Sequence, residues 1–309
     1  MIYLLTGGSG FLGRYIAHEL LKNGELVTLS RSEAAINADL SKEIPRLPLV
    51  DVVVHCAGKA HAVPRTPAEC QAFFEVNEGG TANLLQALSN GDSLPRSFIL
   101  ISTVAVYGRE SGTNINEDHP LNAQEPYGKS KIKAEELVRH WCLTNKVSCT
   151  ILRLPLLVGE NPPGNLGAMI AAIKKGYYFN IAGGTARKSM VLAQDVAALI
   201  PRIIDLGGVY NLTDGTHPSF AQLAYAIGTR FGKNKTYNMP SWMAKAFAWV
   251  GECFGNKAPI NRAKLAKIPA PLTFDDQRAR AVLNWRPQAV LAVLQQEQVK
   301  ALQKLPDLD

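Results

Sequence analysis

Through the first half of the chain, short runs of consecutive apolar residues alternate with segments of helical spacing. Residues 2–5, 26–29, 50–56, 97–102 and 148–152 read as strands, and the stretches near 11–23, 70–88 and 127–144 read as helices. Strands this uniformly apolar are covered on both faces, and their alternation with helices predicts an α/β fold: a Rossmann-type, doubly wound parallel sheet with helices on both faces. Val52, Val53 and Val54, with Phe98, Ile99, Leu100 and Ile101, belong at its centre. Pro45 and Pro48 fall between the second strand and residue 50, where the usual strand–helix unit is cut short.

Past Leu154 the texture changes. Gly- and Pro-rich connections around 159–167 and at Gly183 and Gly184 separate helices near 166–175 and 195–205; a late strand at 208–212 and a helix capped by Ser219 follow. The chain is expected to leave the sheet and return to it. Residues 1–157 and 186–212 then form the sheet domain, and 158–185 and 213–309 a smaller region. The segment 241–254 is amphipathic and aromatic, which reads as a packed helix ahead of one lying on a membrane surface.

Composition narrows the setting. The 309 residues are 47% hydrophobic and 19% charged, ordinary globular values. The first strand starts at residue 2, so an export leader is not expected, and no apolar run approaches the length of a membrane span. Five cysteines without a Cys-x-x-Cys pair argue against a disulfide framework and a zinc site and fit a reducing cytoplasm. The six histidines lack ligand spacing, so no metal is expected. A net charge of +7 fits an anionic cofactor and substrate; the basic residues are dispersed and no nucleic-acid-binding signature is present.

Chemistry enters at residue 6. In Thr6-Gly7-Gly8-Ser9-Gly10-Phe11-Leu12-Gly13, which follows the first strand and opens the first helix, Gly7 permits a tight turn. Gly10 lets backbone approach phosphates, Gly13 lets helix and strand pack closely, and the helix N-terminus offers amide donors to a pyrophosphate. Residues 1–157 and 186–212 are thereby the dinucleotide-binding part. At the end of the second strand Ser30 and Arg31 stand where an acid would hold both ribose hydroxyls, which favours NADP over NAD; adenine stacking by Arg31 is the alternative. Asp39 and Leu40 are placed beside the adenine, or Asp39 is an ordinary loop acid.

The small residues of His55-Cys56-Ala57-Gly58-Lys59-Ala60-His61 let backbone pass close to a cofactor, and His61 is either a substrate contact or a structural histidine. Ser102 and Thr103 end a strand at the same edge, where a hydroxyl orients a carbonyl or alcohol. Tyr127 and Lys131, four residues apart, share a helix face, and a fixed ammonium nearby favours the phenolate, fitting the tyrosine for proton transfer.

Together these segments resemble the extended short-chain dehydrogenase/reductases that act on nucleotide sugars, the epimerase/dehydratase group. Beside the glycine loop, the likeness rests on Asn77-x-x-Gly80-Thr81-x-Asn83-Leu84-Leu85, on residues 102–108, on Tyr127-Gly128-Lys129-Ser130-Lys131, on Arg153-Leu154-Pro155, on 191–196, and on 272–275 with 283–287. The resemblance implies that Tyr127 is the general acid/base, that Lys131 holds the nicotinamide ribose and lowers the tyrosine pKa, and that Thr103, with Ser102 beside it, hydrogen-bonds the reacting oxygen. It places Asn77 and Pro155 near the cofactor and Asn165, Arg187 and Lys188 around the substrate's base and diphosphate, and it implies a homodimer.

Two departures narrow the choice. Val104 and Ala105 occupy the positions of the Asp-Glu pair with which 4,6-dehydratases eliminate water, and Ser30-Arg31 departs from the acid that retains NAD in epimerases. The expected activity is NADP-dependent reduction of a nucleotide-linked 4-keto sugar in surface-polysaccharide synthesis. The alternatives are 4-epimerisation with retained NAD, oxidation of a steroid-like or other small alcohol, and a non-catalytic dinucleotide sensor.

Overall fold

The computed structural model describes residues 1–60, 63–233, 237–240, 242–243 and 270–295. Its first half runs β1 (Ile2–Thr6), α1 (Phe11–Leu21), β2 (Glu25–Ser30), β3 (Ile36–Asn37), β4 (Val52–His55), α2 (Pro67–Phe74), a π turn (Glu75–Gly79), α3 (Gly80–Ser89), β5 (Ser97–Thr103), β6 (Gly112–Ile115), α4 (Pro126–Asn145) and β7 (Ser148–Leu154). It continues with β8 (Leu156–Val158), α5 (Gly164–Lys175), β9 (Phe179–Ile181), β10 (Met190–Leu192), α6 (Ala193–Leu199), β11 (Gly208–Asn211), α7 (Phe220–Arg230), β12 (Tyr237–Met239), β13 (Leu272–Phe274), α8 (Gln277–Val282) and α9 (Val290–Gln295). Among the described residues no helix is long and apolar enough to cross a membrane.

Seven strands form one parallel sheet in the order β11-β7-β5-β4-β1-β2-β3. The strand order reverses between β1 and β4, which opens a crevice at their carboxyl ends. Register sets its floor: Thr6, the last residue of β1, pairs with Leu29 on one side and His55 on the other.

Alternation along the strands divides the core. Leu5, Val52, Val54 and Ile99 pack with α1, α6 and Trp285 on one face, while Leu4, Val53, Phe98 and Leu100 pack with Leu84, Leu88 and Val138 on the other. This double coverage is why these strands are apolar at every position.

A third apolar cluster joins Val158, Leu166, Met169 and Ile173 to Leu223, Ile227 and Val290. Within β10, Met190 and Leu192 face this cluster and Val191 faces the sheet's, so one short strand stitches the two together. Ser219 caps α7 as expected, in a reciprocal capping box with Gln222.

Three features depart from the sequence expectations. The single helix expected near 70–88 is two helices joined by the π turn. The connection after β2 lacks a helix, in keeping with the shortened unit expected there, but the two-residue strand β3, which was not expected, extends the sheet. The helix expected over 195–205 begins at Ala193 and tightens to a 3₁₀ turn at Ile200–Arg202, where Pro201 lacks the amide an α-helix needs. Of the segment 241–254, all but residues 242–243 lie outside the described residues.

At Gly13 a Cβ would stand 2.0 Å from the Gly7 carbonyl oxygen, whereas at Gly10 it would meet that oxygen only at 3.2 Å. Gly13→Ala is therefore expected to lower stability by about 1–3 kcal/mol, and Gly10→Ala by much less, in urea unfolding.

Candidate active site

The carboxyl ends of β1, β2 and β4 border a cleft of about 440 Å³. Gly7, Gly10, Arg31, Asp39, Leu40, Ala57, Gly58 and Lys59 all line it, together with Ser30, Ser32, Ser41 and Cys56. Gly7 takes φ +71°, and a Cβ there would lie 2.7 Å from the backbone of Ala57. That close approach brings the glycine loop and the β4 loop side by side. Phe11, Leu12 and Gly13 are not lining residues: Leu12 is buried in the core, Phe11 packs edge-on against Tyr15, and Gly13 lies under the Gly7 carbonyl. They carry the first-turn amides of α1, which have no partner within the helix.

Arg31 is exposed at the mouth of the cleft, flanked by Ser30 and Ser32, whose side chain and carbonyl are tied to each other. Asp39 accepts from the Ser41 hydroxyl at 2.6 Å and amide at 3.1 Å, and these bonds hold its carboxyl below the usual carboxylate range. The narrow glycine turn, the small residues opposite it and the cation at the far end suit an elongated, multiply anionic molecule such as a dinucleotide. The lining includes donors for phosphate and no metal-like cluster: among the described residues no group of three or more His, Cys, Asp or Glu side chains gathers.

Tyr127 and Lys131 project from α4, which begins on Pro126 at its first turn. The half-buried Tyr127 phenol is pushed above the ordinary tyrosine range by burial, and a hydrogen bond with the Thr103 side chain acts in the opposite direction. Lys131 is buried; its Nζ donates to the Ile101 carbonyl at 2.8 Å, and desolvation takes its pKa down to about 8 against the pull of Glu135. The expectation that Lys131 depresses the tyrosine is corrected here: burial dominates the phenol and Thr103 is the group that opposes it. The Tyr127 ring lies 6.1 Å from that of Phe73, over which the Lys59 ammonium sits at 5.7 Å, linking the phenol to the cleft wall.

Ser102 is not brought to Tyr127. Its hydroxyl is buried and donates to Glu135 at 2.5 Å, because successive residues of β5 point to opposite sides and only Thr103 faces the phenol. Glu135 in turn receives Arg153 Nε at 3.1 Å and Nη2 at 2.7 Å, and Arg153 Nη1 donates to the Tyr107 hydroxyl at 3.1 Å. Tyr127, Lys131 and Glu135 thus fall on one face of α4, and the last anchors the helix to the sheet.

Asn77 is buried in the π turn and clamps three segments: its Oδ1 accepts from the Lys59 amide at 2.7 Å, and its Nδ2 donates to the Lys59 carbonyl at 3.1 Å and to Ser130 Oγ at 2.9 Å. Pro155 follows Leu154, the residue paired with Thr103 in the sheet. His61 lies outside the described residues.

The three expected substrate residues do not line the cleft. Asn165 is exposed in the first turn of α5. Arg187 is exposed and donates from Nε to the His217 carbonyl at 2.9 Å and from Nη2 to the Thr216 carbonyl at 2.8 Å. Lys188 Nζ donates to the Ala270 carbonyl at 3.0 Å, and burial lowers its pKa.

His55, unassigned from the sequence beyond its strand, is buried and held neutral, its pKa pushed down to about 3 by desolvation and by the nearby Lys131 charge. Between about 3 and the ordinary histidine value of 6.5 the unfolded chain binds a proton that the native state refuses. The contribution is complete above the unfolded value and is lost as pH falls, by about 1.4 kcal/mol per unit. Urea unfolding at stepped pH below neutrality reads this slope, and His55→Gln is expected to remove its share of it.

Residues 3–213 match the family model of the NAD dependent epimerase/dehydratase family. The UDP-glucose 4-epimerase of Vibrio cholerae is 27% identical over 311 residues, covering 93% of this chain and 91% of that protein. Among solved structures, the UDP-N-acetylglucosamine 4-epimerase from Bacillus cereus superposes with a TM-score of 0.75 at 21% identity, covering 98% of this chain and 100% of that one. Human epimerase family protein SDR39U1, solved with NADPH, gives 0.74 at 18% identity over 96% and 98%. These structures share the fold. With its glycine loop, its Tyr127–Lys131 helix and the matched model spanning both, the chain belongs to the NAD dependent epimerase/dehydratase family and is an enzyme of the short-chain dehydrogenase/reductase type.

Proposed function

We propose that the protein is an NADP-dependent reductase of a nucleotide-linked 4-keto sugar. The observation that carries this reading is Tyr127: its phenol, protonated at neutral pH and hydrogen-bonded with the Thr103 side chain at the end of β5, suits a donor to the oxygen of a ketone being reduced. When bound, the dinucleotide supplies the hydride. Gly7, Gly10 and the first-turn amides of Phe11, Leu12 and Gly13 would hold its pyrophosphate, Asp39 and Leu40 its adenine end, and Ala57, Gly58, Lys59, Asn77 and Pro155 its inner half. Thr103 orients the keto oxygen, and Tyr127 delivers the proton to it. Lys131, buried beside β5, is assigned to the nicotinamide ribose of the dinucleotide. Asn165, Arg187 and Lys188 are assigned to the nucleotide end of the substrate; Arg187, anchored on two carbonyls, carries a charge suited to a diphosphate.

Arg31 between two serines at the end of β2 supports NADP, since a guanidinium attracts a 2′-phosphate that an acid would repel. Arg31→Ala is expected to raise the NADPH KM about 10-fold, the loss of one charge-assisted contact, while leaving that for NADH unchanged. Full-length similarity to a UDP-glucose 4-epimerase favours a second reading, 4-epimerisation. Incubation with NADPH and UDP-linked 4-keto-hexosamines separates the two: stoichiometric NADPH loss is expected. Interconversion of UDP-sugar epimers without net dinucleotide consumption, with NAD found in the purified protein, would overturn the reductase reading.

A further inference from the structure

Beneath the cleft a run of buried polar groups joins β1 to the helix of Tyr127, and its direction is determined by its end. The Asn77 carbonyl only accepts, so the Thr81 hydroxyl donates to it at 2.5 Å. Thr81 Oγ1 is then the acceptor for His55 Nε2–H at 3.0 Å, which leaves His55 Nδ1 as the acceptor for the Thr6 hydroxyl at 2.6 Å. Thr6 Oγ1 in turn accepts from the Ala57 amide at 3.1 Å. Past Asn77, Ser130 Oγ receives the Asn77 amide and donates to the Tyr127 carbonyl at 2.8 Å. Thr6, His55, Asn77, Thr81 and Ser130 are each at most 2% exposed, so water cannot substitute for a missing partner.

We propose that His55, as the Nε2–H tautomer, and Thr81 are positioning residues for the dinucleotide and for Tyr127. They touch neither. His55 joins the last residue of β1 to α3, through Thr81. Asn77, whose carbonyl takes the Thr81 proton, sets the Lys59 backbone with its side chain and ties the first turn of α4. The cofactor side, Ala57 to Lys59, and the proton-transfer side, Tyr127, are thereby held in one register. The inference rests on the assignment of the cleft to a dinucleotide and not on the identity of the sugar.

Thr81→Val keeps the shape and removes both hydrogen bonds, leaving His55 Nε2–H unpaired; Thr81→Ser restores the hydroxyl. Titration with NADPH, followed by its fluorescence well below the unfolding temperature of each variant, is expected to show about 10-fold weaker binding for Val. Turnover is expected to fall about 10- to 100-fold, with Ser close to wild type in both. Wild-type affinity and turnover in a folded but less stable Thr81→Val would mean a structural role alone and would sink the proposal. Absence of NADPH and NADH binding by the wild type would instead overturn the dinucleotide reading, and the inference with it. Should Thr81→Val fail to fold, ¹⁵N-edited NMR of the wild-type histidine decides: a proton on Nε2 with Nδ1 bare is expected, and a proton on Nδ1 overturns the chain's direction.

Discussion

Replacing Tyr127 with Phe is expected to lower turnover by about 10²–10⁴-fold, the usual contribution of a positioned proton donor, with little change in NADPH affinity or unfolding midpoint. The substitution removes one oxygen and keeps the ring. Its contact with Phe73, at 6.1 Å, survives, and the polar interaction lost is the one with the Thr103 side chain. A fall in kcat with an unchanged dinucleotide dissociation constant assigns the loss to the chemical step. Wild-type turnover by Tyr127→Phe would remove the phenol from the mechanism. Equal inactivity of both proteins toward all keto sugars tried would favour the dinucleotide-sensing alternative.

The largest effect on stability is expected at Glu135. With side chains 1% and 2% exposed, Glu135 and Arg153 form a two-pronged ion pair, to which Ser102 adds a hydroxyl. Glu135→Leu leaves the guanidinium buried without its countercharge and is expected to cost about 3–5 kcal/mol, read as a drop in urea midpoint. Adding Arg153→Met to Glu135→Leu removes the uncompensated charge and is expected to recover much of that loss. Activity should not recover with it. Glu135 is the carboxylate whose field supports the charged form of Lys131 against burial, so without it the lysine falls further below about 8 and is less often cationic at neutral pH. Stability restored without turnover in the double variant therefore distinguishes the support of Lys131 from the anchoring of α4. Full turnover there would confine Glu135 to anchoring.

Much of this was legible in the sequence because it rests on local patterns. Apolar runs such as Val52 to Val54 announced a sheet covered on both sides, and Gly7, Gly10 and Gly13 announced a turn that the structure packs to within a carbonyl's reach. Tyr127 and Lys131 share a helix face by spacing, and they stood out only in company with the glycine loop, the Ser102-Thr103 strand end and the Asn77 helix. What was not legible depends on partners distant along the chain. Ser102 and Thr103 look equivalent in one dimension, yet the strand's alternation sends one to Glu135 and the other to Tyr127. Lys131 finds the Ile101 carbonyl, and Arg187 those of Thr216 and His217, through contacts that no periodicity encodes. The pairs β6–β13, β8–β10 and β9–β12, whose strands are three or four residues long, are too short to display a period of their own.

The π turn at Glu75–Gly79 holds one residue more than an α-helical path would need. Seen as a surplus, it acts as a phase shifter: each residue turns a helix by about 100°, so the extra one resets the angular position of everything in α3 relative to α2. Asn77 can therefore address Lys59 and Ser130 while Thr81, only four residues on, addresses His55. A chain shortened by one residue there would keep its composition, its motifs and its apolar stripe. It would lose the simultaneity of those contacts, a lesion visible in no inventory of which residues remain.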